Sequence, residues 1–166
     1  VDAAGPGVAR TPLVTLDLTR PQASIALHDA PGRLVAGPEQ AGHVITQAFQ
    51  VGATLLAAEQ VGAAQHLLDL AVDYAKTRLQ FGRPIGSFQA VKHKLAEMYV
   101  AVQLARSNAY YGAYAIGNDA PDLAVAAAAA RISATAAFDM ASRENIQVHG
   151  GIGYTTDLDC HLYYRR

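Results

Sequence analysis

The chain has 166 residues, a net charge of −1 at neutral pH, 51% hydrophobic residues and only 16% charged ones. That length suits one domain with room for a fragment of a second, and is ample to bury a core. A near-neutral balance without a basic run offers nothing to nucleic acid, and the longest uninterrupted apolar run, 123–130, is too short and too Ala-rich to predict a membrane span. In chain order, residues 1–10 are rich in Gly, Ala and Pro and read as irregular, with no signal or transit pattern and Val1 in first place. Residues 11–18 partly alternate, with Pro12 near the start, where a strand tolerates it. Residues 23–27 are a second β candidate, and 29–32 (D-A-P-G) a turn. Gly37-Pro38 marks a boundary between a β segment, 1–36, and a helical domain, 37–166.

From Glu39 the pattern is helical almost to the end. One helix or a kinked pair is expected over 39–79, with Gly42, Gly52 and Gly62 as weak points. Val61, Ala64, Leu68, Val72, Ala75 and Leu79 step by three and four, as one buried stripe. A second helix starts near Ser87, which can cap it, and carries Val91, Leu95, Met98, Val102 and Ala105 inward. Lys92, Lys94 and Glu97 are expected to face outward, and Gly117-Asn118 closes the helix. The third starts at 119–122 with Pro121 in its first turn and runs to about Val148. Its 126–130 alanines are small enough for close helix approach, and Gly150-Gly151 ends it. A short helix follows from near Asp157. Long helices joined by short loops define the expected class: an all-α, up-and-down four-helix bundle with a short N-terminal β remnant. Low charge and abundant alanine imply that further helix faces are covered, by an oligomer or a neighbouring domain. The single Cys160 permits no internal disulfide and suits a reducing, cytoplasmic setting.

Two stretches carry candidate chemistry. Residues 74–89 read Y-A-K-T-R-L-Q-F-G-R-P-I-G-S-F-Q. Lys76 and Arg78 close a helix, where cations suit the dipole, and Gly82 with Pro84 stops it. Gln80, Phe81, Arg83 and Gln89 then set amides, a ring and a guanidinium around a short turn, a combination suited to a flat anion as well as to a plain helix connection. The second stretch, Q-V-H-G-G-I-G-Y-T at 147–155, is a helix end followed by bare backbone. It follows a helix, so it is not a Rossmann fingerprint. The six histidines lack both Glu-x-x-His pairing and zinc-like spacing to Cys160, so each reads as a surface or satisfied polar residue, and no metal site is expected. No G-x-S-x-G or Cys/His pairing is legible. Tyr74, Tyr99, Tyr110, Tyr111 and Tyr114 read as core or interface residues.

The order and separation of R-x-Q-F-G-x-P-I-x-x-F-Q and Q-V-H-G-G-I-G-Y-T resemble the C-terminal helical domain of acyl-CoA dehydrogenases. The likeness runs from about Asp17 to Arg166, and the first residues resemble the end of that family's middle β-domain. The resemblance implies an FAD flavoprotein that removes two hydrogens across Cα–Cβ of an acyl-CoA thioester, assembled as a homo- or hetero-oligomer (a tetramer) and served by an electron-transfer partner. It implies that Arg78, Gln80, Phe81 and Gln89 contact the FAD of a neighbouring subunit, Arg78 and Gln80 at the diphosphate, with Gln147, Gly150 and Gly151 on the same cofactor. The catalytic base is left unassigned. No Glu follows Glu144, and the family's alternative base position falls on Gly52, which cannot take a proton. Glu59, two turns on, reads as a polar interface residue. The ending His161-Leu162-Tyr163-Tyr164-Arg165-Arg166 resembles a bacterial branch in which some members pair two unlike subunits, one bearing the base. The alternative expectation is a catalytically silent helical subunit that completes a partner's flavin site; an oxidase would look the same.

Overall fold

A computed structural model describes all residues, Val1–Arg166, and separates into two compact units, 1–45 with 165–166 and 46–164. In the first unit, β1 (Val8–Leu13) and β2 (Gln22–Leu27) pair antiparallel, with Val8 opposite Leu27 and Leu13 opposite Gln22. The strand thus begins inside the stretch expected to be irregular and stops before Val14. Pro12 sits within it, tolerated because a two-stranded ribbon is all edge.

The second unit is a helix bundle. α1 (Pro38–Thr77) begins in the first unit and supplies its longest helix; α2 (Gln89–Gly117) and α3 (Leu123–His149) follow, with a short α4 (Cys160–Arg165). None of the glycines of α1 breaks it, because each is a single propensity cost within a long packed helix. Cross-links tie the three long helices together. Arg106 of α2 donates to Gln65 of α1 at 2.6 Å, Arg131 of α3 donates to Gln60, and Lys94 of α2 meets Glu144 of α3 at 2.6 Å. Lys94 therefore does not simply face outward; its flexible stem reaches a carboxylate across the helix pair.

The core is made of Ala64, Leu67, Leu68, Ala71 and Ala75 against Met98, Val102, Phe138, Ala141 and Val148. A second cluster joins Ala57 and Val61 to Ala105, Ala109, Ala130, Ala134 and Ala137. The expected stripe holds as far as Ala75 and fails at Leu79, which is 61% exposed because the helix has already ended. By length and composition α3 could cross a membrane, but its alanine face packs into this bundle and its other faces carry Arg131, Asp139, Arg143 and Glu144. Of the five helical tyrosines, Tyr74 alone packs on the core; Tyr99, Tyr110, Tyr111 and Tyr114 are exposed.

Helix ends differ in detail from the expected ones. α2 begins after a 3₁₀ turn at Ile85–Ser87, so Phe88 occupies the N-cap and the buried Ser87 hydroxyl makes no capping bond. α2 ends where Gly117-Asn118 predicts. Asp119 takes φ 47° and the Ala120 N–H returns to the Ala115 carbonyl at 3.0 Å, an αL closure. Pro121 lies just before α3 rather than in it.

Where α1, α2 and α3 converge, Gly112 leaves no room: an added Cβ would sit 3.1 Å from Thr54 Cγ2 and 3.4 Å from Ala130 Cβ. Thr54 is buried and its hydroxyl is tied to the Gln50 carbonyl, so it yields poorly. Gly62 on α1 faces open space instead. Gly62→Ala is expected to stabilise the bundle by about 0.5–1 kcal/mol, the helix-propensity gain. Gly112→Ala should offset that gain with about 1–3 kcal/mol of overpacking and lower the melting temperature. Thermal unfolding of the two variants side by side checks the sign difference.

Candidate functional site

The first candidate stretch is a miniature hairpin rather than a plain helix stop. β3 (Leu79–Gln80) pairs antiparallel with β4 (Arg83–Pro84), and the Ile85 N–H closes it onto the Arg78 carbonyl at 2.8 Å. The turn residues Phe81 and Gly82 take φ 54° and 75°. A left-handed phenylalanine is strained backbone, and its ring stands 91% exposed at the tip. Two contacts order the side chains. Phe81 meets Phe88 edge to face with centroids 6.0 Å apart, and the Arg83 guanidinium lies 4.1 Å from the Phe88 ring centroid. The turn is seated on α1 through Gly86, where a Cβ would come within 2.9 Å of the Ala75 carbonyl oxygen.

Arg78 follows α1 directly, its N–H bonded to the Tyr74 carbonyl at 2.8 Å. Its exposed guanidinium pairs with no carboxylate; Asp73 is met by Lys76, at 3.8 Å. Gln80 is exposed on β3. Gln89 opens α2 with its amide 2.9 Å from His93 Nε2.

The second stretch lies at the C-terminal end of α3. Gly150 ends the helix at φ 66°, and a 3₁₀ turn, Gly150–Tyr154, follows. Gly150 and Gly151 face open space, whereas at Gly153 an added Cβ would come within 2.8 Å of the Ile146 carbonyl oxygen. The bare backbone is thus presented outward at the first pair and used for packing at the third glycine. Gln147 is exposed and lines a cavity of about 310 Å³ with Arg143, Ile146, Tyr154 and Tyr164. Arg143 was not singled out from sequence, although it stands one helical turn before Gln147; it is bonded to Asp139 at 3.0 Å.

One contact brings the two stretches together. His149, buried, with Nδ1 2.8 Å from the Asn145 carbonyl oxygen, stacks on Tyr74 at 4.2 Å between centroids and 29° between planes. The ends of α1 and α3, and hence Arg78 and Gln147, belong to the same end of the bundle. Nothing in the sequence pointed to this pair, which lies 75 positions apart. Beneath the second stretch the Asn145 amide is fully buried and finds no nitrogen or oxygen partner. Its polar neighbour is the Cys160 thiol, which burial holds above its ordinary pKa against a smaller opposing pull from Asn145. A buried neutral thiol is inert as a nucleophile.

The donor set can be tested against FAD. A guanidinium without a carboxylate, three exposed amides, an exposed ring and open glycine backbone match a diphosphate with flat rings at either side. The residues fit the group. Gly52, in contrast, sits on α1 with open space beyond its Cα and offers no proton acceptor.

Residues 41–166 match the family model described as acyl-CoA dehydrogenase, C-terminal domain. The chain is 49% identical over 114 residues to the acyl-CoA dehydrogenase IpdE2 of Mycobacterium tuberculosis, a match covering 69% of this chain and 34% of that protein. Against IpdE2 of Mycolicibacterium smegmatis it is 41% identical over 155 residues, covering 93% and 45%. Among solved structures it superposes on a chain of the ChsE4–ChsE5 complex from Mycobacterium tuberculosis with a TM-score of 0.84 and 34% identity, covering 99% of this chain and 44% of that one. The chain therefore spans less than half the length of each of these relatives.

Proposed function

Because the chain belongs to the acyl-CoA dehydrogenase family, as its C-terminal helical domain, we propose that it serves FAD-dependent α,β-dehydrogenation of acyl-CoA thioesters within a larger flavoprotein. The observation that carries this reading is the Tyr74–His149 stack, which sets both signature stretches at one end of the bundle. In this reading Arg78 and Gln80 hold the diphosphate, Phe81 packs on the cofactor, and Gln89 serves the adenosine end. Gln147 and the open backbone of Gly150 and Gly151 complete the cradle. FAD, when bound, supplies the acceptor for the β-hydrogen as hydride. The chain's own residues bind and orient it, and the exposed Phe81 ring excludes water from one side. The cofactor belongs to a neighbouring subunit, so the working unit is an oligomer, and an electron-transfer partner reoxidises it.

The open Gly52 favours a second reading, in which this subunit completes a flavin site whose base stands on another chain. The likeness to the ChsE4–ChsE5 complex, named for two components, accords with an unlike-subunit assembly. The test is anaerobic addition of a series of acyl-CoA thioesters to the assembled flavoprotein. Bleaching of the flavin band by the assembly, with no turnover by the 166-residue chain alone, is the expected result. An assembly that retains no flavin would overturn both readings. A carboxylate from a different chain beside flavin N5 would decide for the second.

A further inference from the structure

Arg83 stands outside the set just assigned to the cofactor, and its geometry gives it a different task. The hairpin has little backbone to hold it. Each strand is two residues long, and Pro84 contributes no N–H to the ladder. Yet its tip keeps Phe81 in the left-handed region with the ring turned to solvent, an arrangement a free peptide would abandon. What opposes collapse is a side-chain chain of contacts anchored at the start of α2. Phe88, at the N-cap, receives the edge-to-face contact of Phe81 at 6.0 Å and the Arg83 guanidinium at 4.1 Å. No carboxylate pairs with Arg83, so the ring is its principal partner.

We propose that Arg83 is a positioning residue: by clamping Phe88 it fixes the exposed Phe81 ring in advance as a rigid contact for the flavin nucleotide. This rests on the flavin reading above. Preorganisation of this kind raises affinity by removing the ordering cost from the binding step. It also separates Arg83 from Arg78: Arg78 presents an unpaired guanidinium, whereas Arg83 spends its own on a ring.

The experiment is a double-mutant cycle in the assembled flavoprotein, reading the FAD dissociation constant by flavin fluorescence for Arg83→Met, Phe88→Leu and the pair. Arg83→Met keeps the stem over the ring and removes the cation. Each single change is expected to weaken FAD roughly three- to fivefold, the scale of an exposed cation–π contact. The pair should lose little more than either alone, because both break one device. Arg83→Lys, which restores a cation over the ring, should recover most of the loss. In the flavin-free assembly, hydrogen exchange across 78–88 should quicken in Arg83→Met and return towards wild type in Arg83→Lys. Unchanged affinity in Arg83→Met overturns the inference, as do fully additive losses, which would mean that Arg83 touches the phosphates itself. If Phe88→Leu unfolds, the Arg83 pair of variants and their exchange rates still decide. Phe81→Ala separates the two levels. Weakened FAD in Phe81→Ala with no effect of Arg83→Met removes only the positioning role. Unchanged FAD in both Phe81→Ala and Arg78→Lys removes the flavin reading and this inference with it.

Discussion

Flavin retention should fall by about one to two powers of ten when Arg78 is replaced by lysine in the assembled protein. The substitution keeps the positive charge and the favourable interaction with the end of α1, which is worth only about 0.3–1 kcal/mol at an exposed helix terminus. It removes the planar fork that a guanidinium can offer to two diphosphate oxygens at once. The lost hydrogen bond to a charged group accounts for about 1.5–3 kcal/mol. Arg78 is free to do this, since no carboxylate of the chain claims its guanidinium and its backbone is pinned on both sides, to Tyr74 and to Ile85. FAD bound per subunit after dilution is the measurement, with melting of the flavin-free protein as control. Equal retention in both proteins would leave Arg78 as a helix cap and nothing more.

A larger loss of stability is expected from Leu67→Ala, about 2–5 kcal/mol. Leu67 is fully buried where α1 meets α2 and α3, among Met98, Val102 and Phe138. Its neighbours Ala64, Leu68 and Ala71 lie on the same helix and cannot move independently to fill the space. Such a site collapses poorly, which places the cost in the upper half of the range. Denaturant unfolding of the two proteins checks it. A loss under about 1 kcal/mol would mean that the three helices are not packed as described.

The bundle was legible because its helices bury one face at a regular interval. Val61, Ala64, Leu68 and Ala75, like Met98, Val102 and Ala105, recur by threes and fours and are all buried. The pattern misled at Leu79, which continues the interval after the hydrogen bonds of the helix have stopped. A hydroxyl at Ser87 suggested a cap, but the intervening 3₁₀ turn moves the helix start past it. Lys94 looked solvated because a cross-helix partner fifty positions away leaves no local trace. The order of the two signature stretches was plain in the sequence. Their meeting through Tyr74 and His149 was not, since ring stacking across a bundle has no period. The Arg83–Phe88 contact was equally hidden, because a five-residue offset brings the two together only once the 3₁₀ turn Ile85–Ser87 folds the chain between them.

The interior has a thermodynamic consequence of its own. Of the buried apolar residues most are alanines, and the large fully buried side chains are few: Leu67, Met98, Val102 and the polar Asn145. A methyl withdraws far less apolar surface from water than a leucyl or phenylalanyl group, so the helices are held by close backbone approach more than by area. Heat capacity of unfolding follows the apolar area exposed, and the denaturant slope follows the total. Per residue, this bundle should therefore have a smaller heat-capacity increment than the usual ~12–15 cal/mol/K, and a broad, flat stability curve. Its tolerance to cooling should be correspondingly wide, while its total stability leans on the few large groups that do fill its centre.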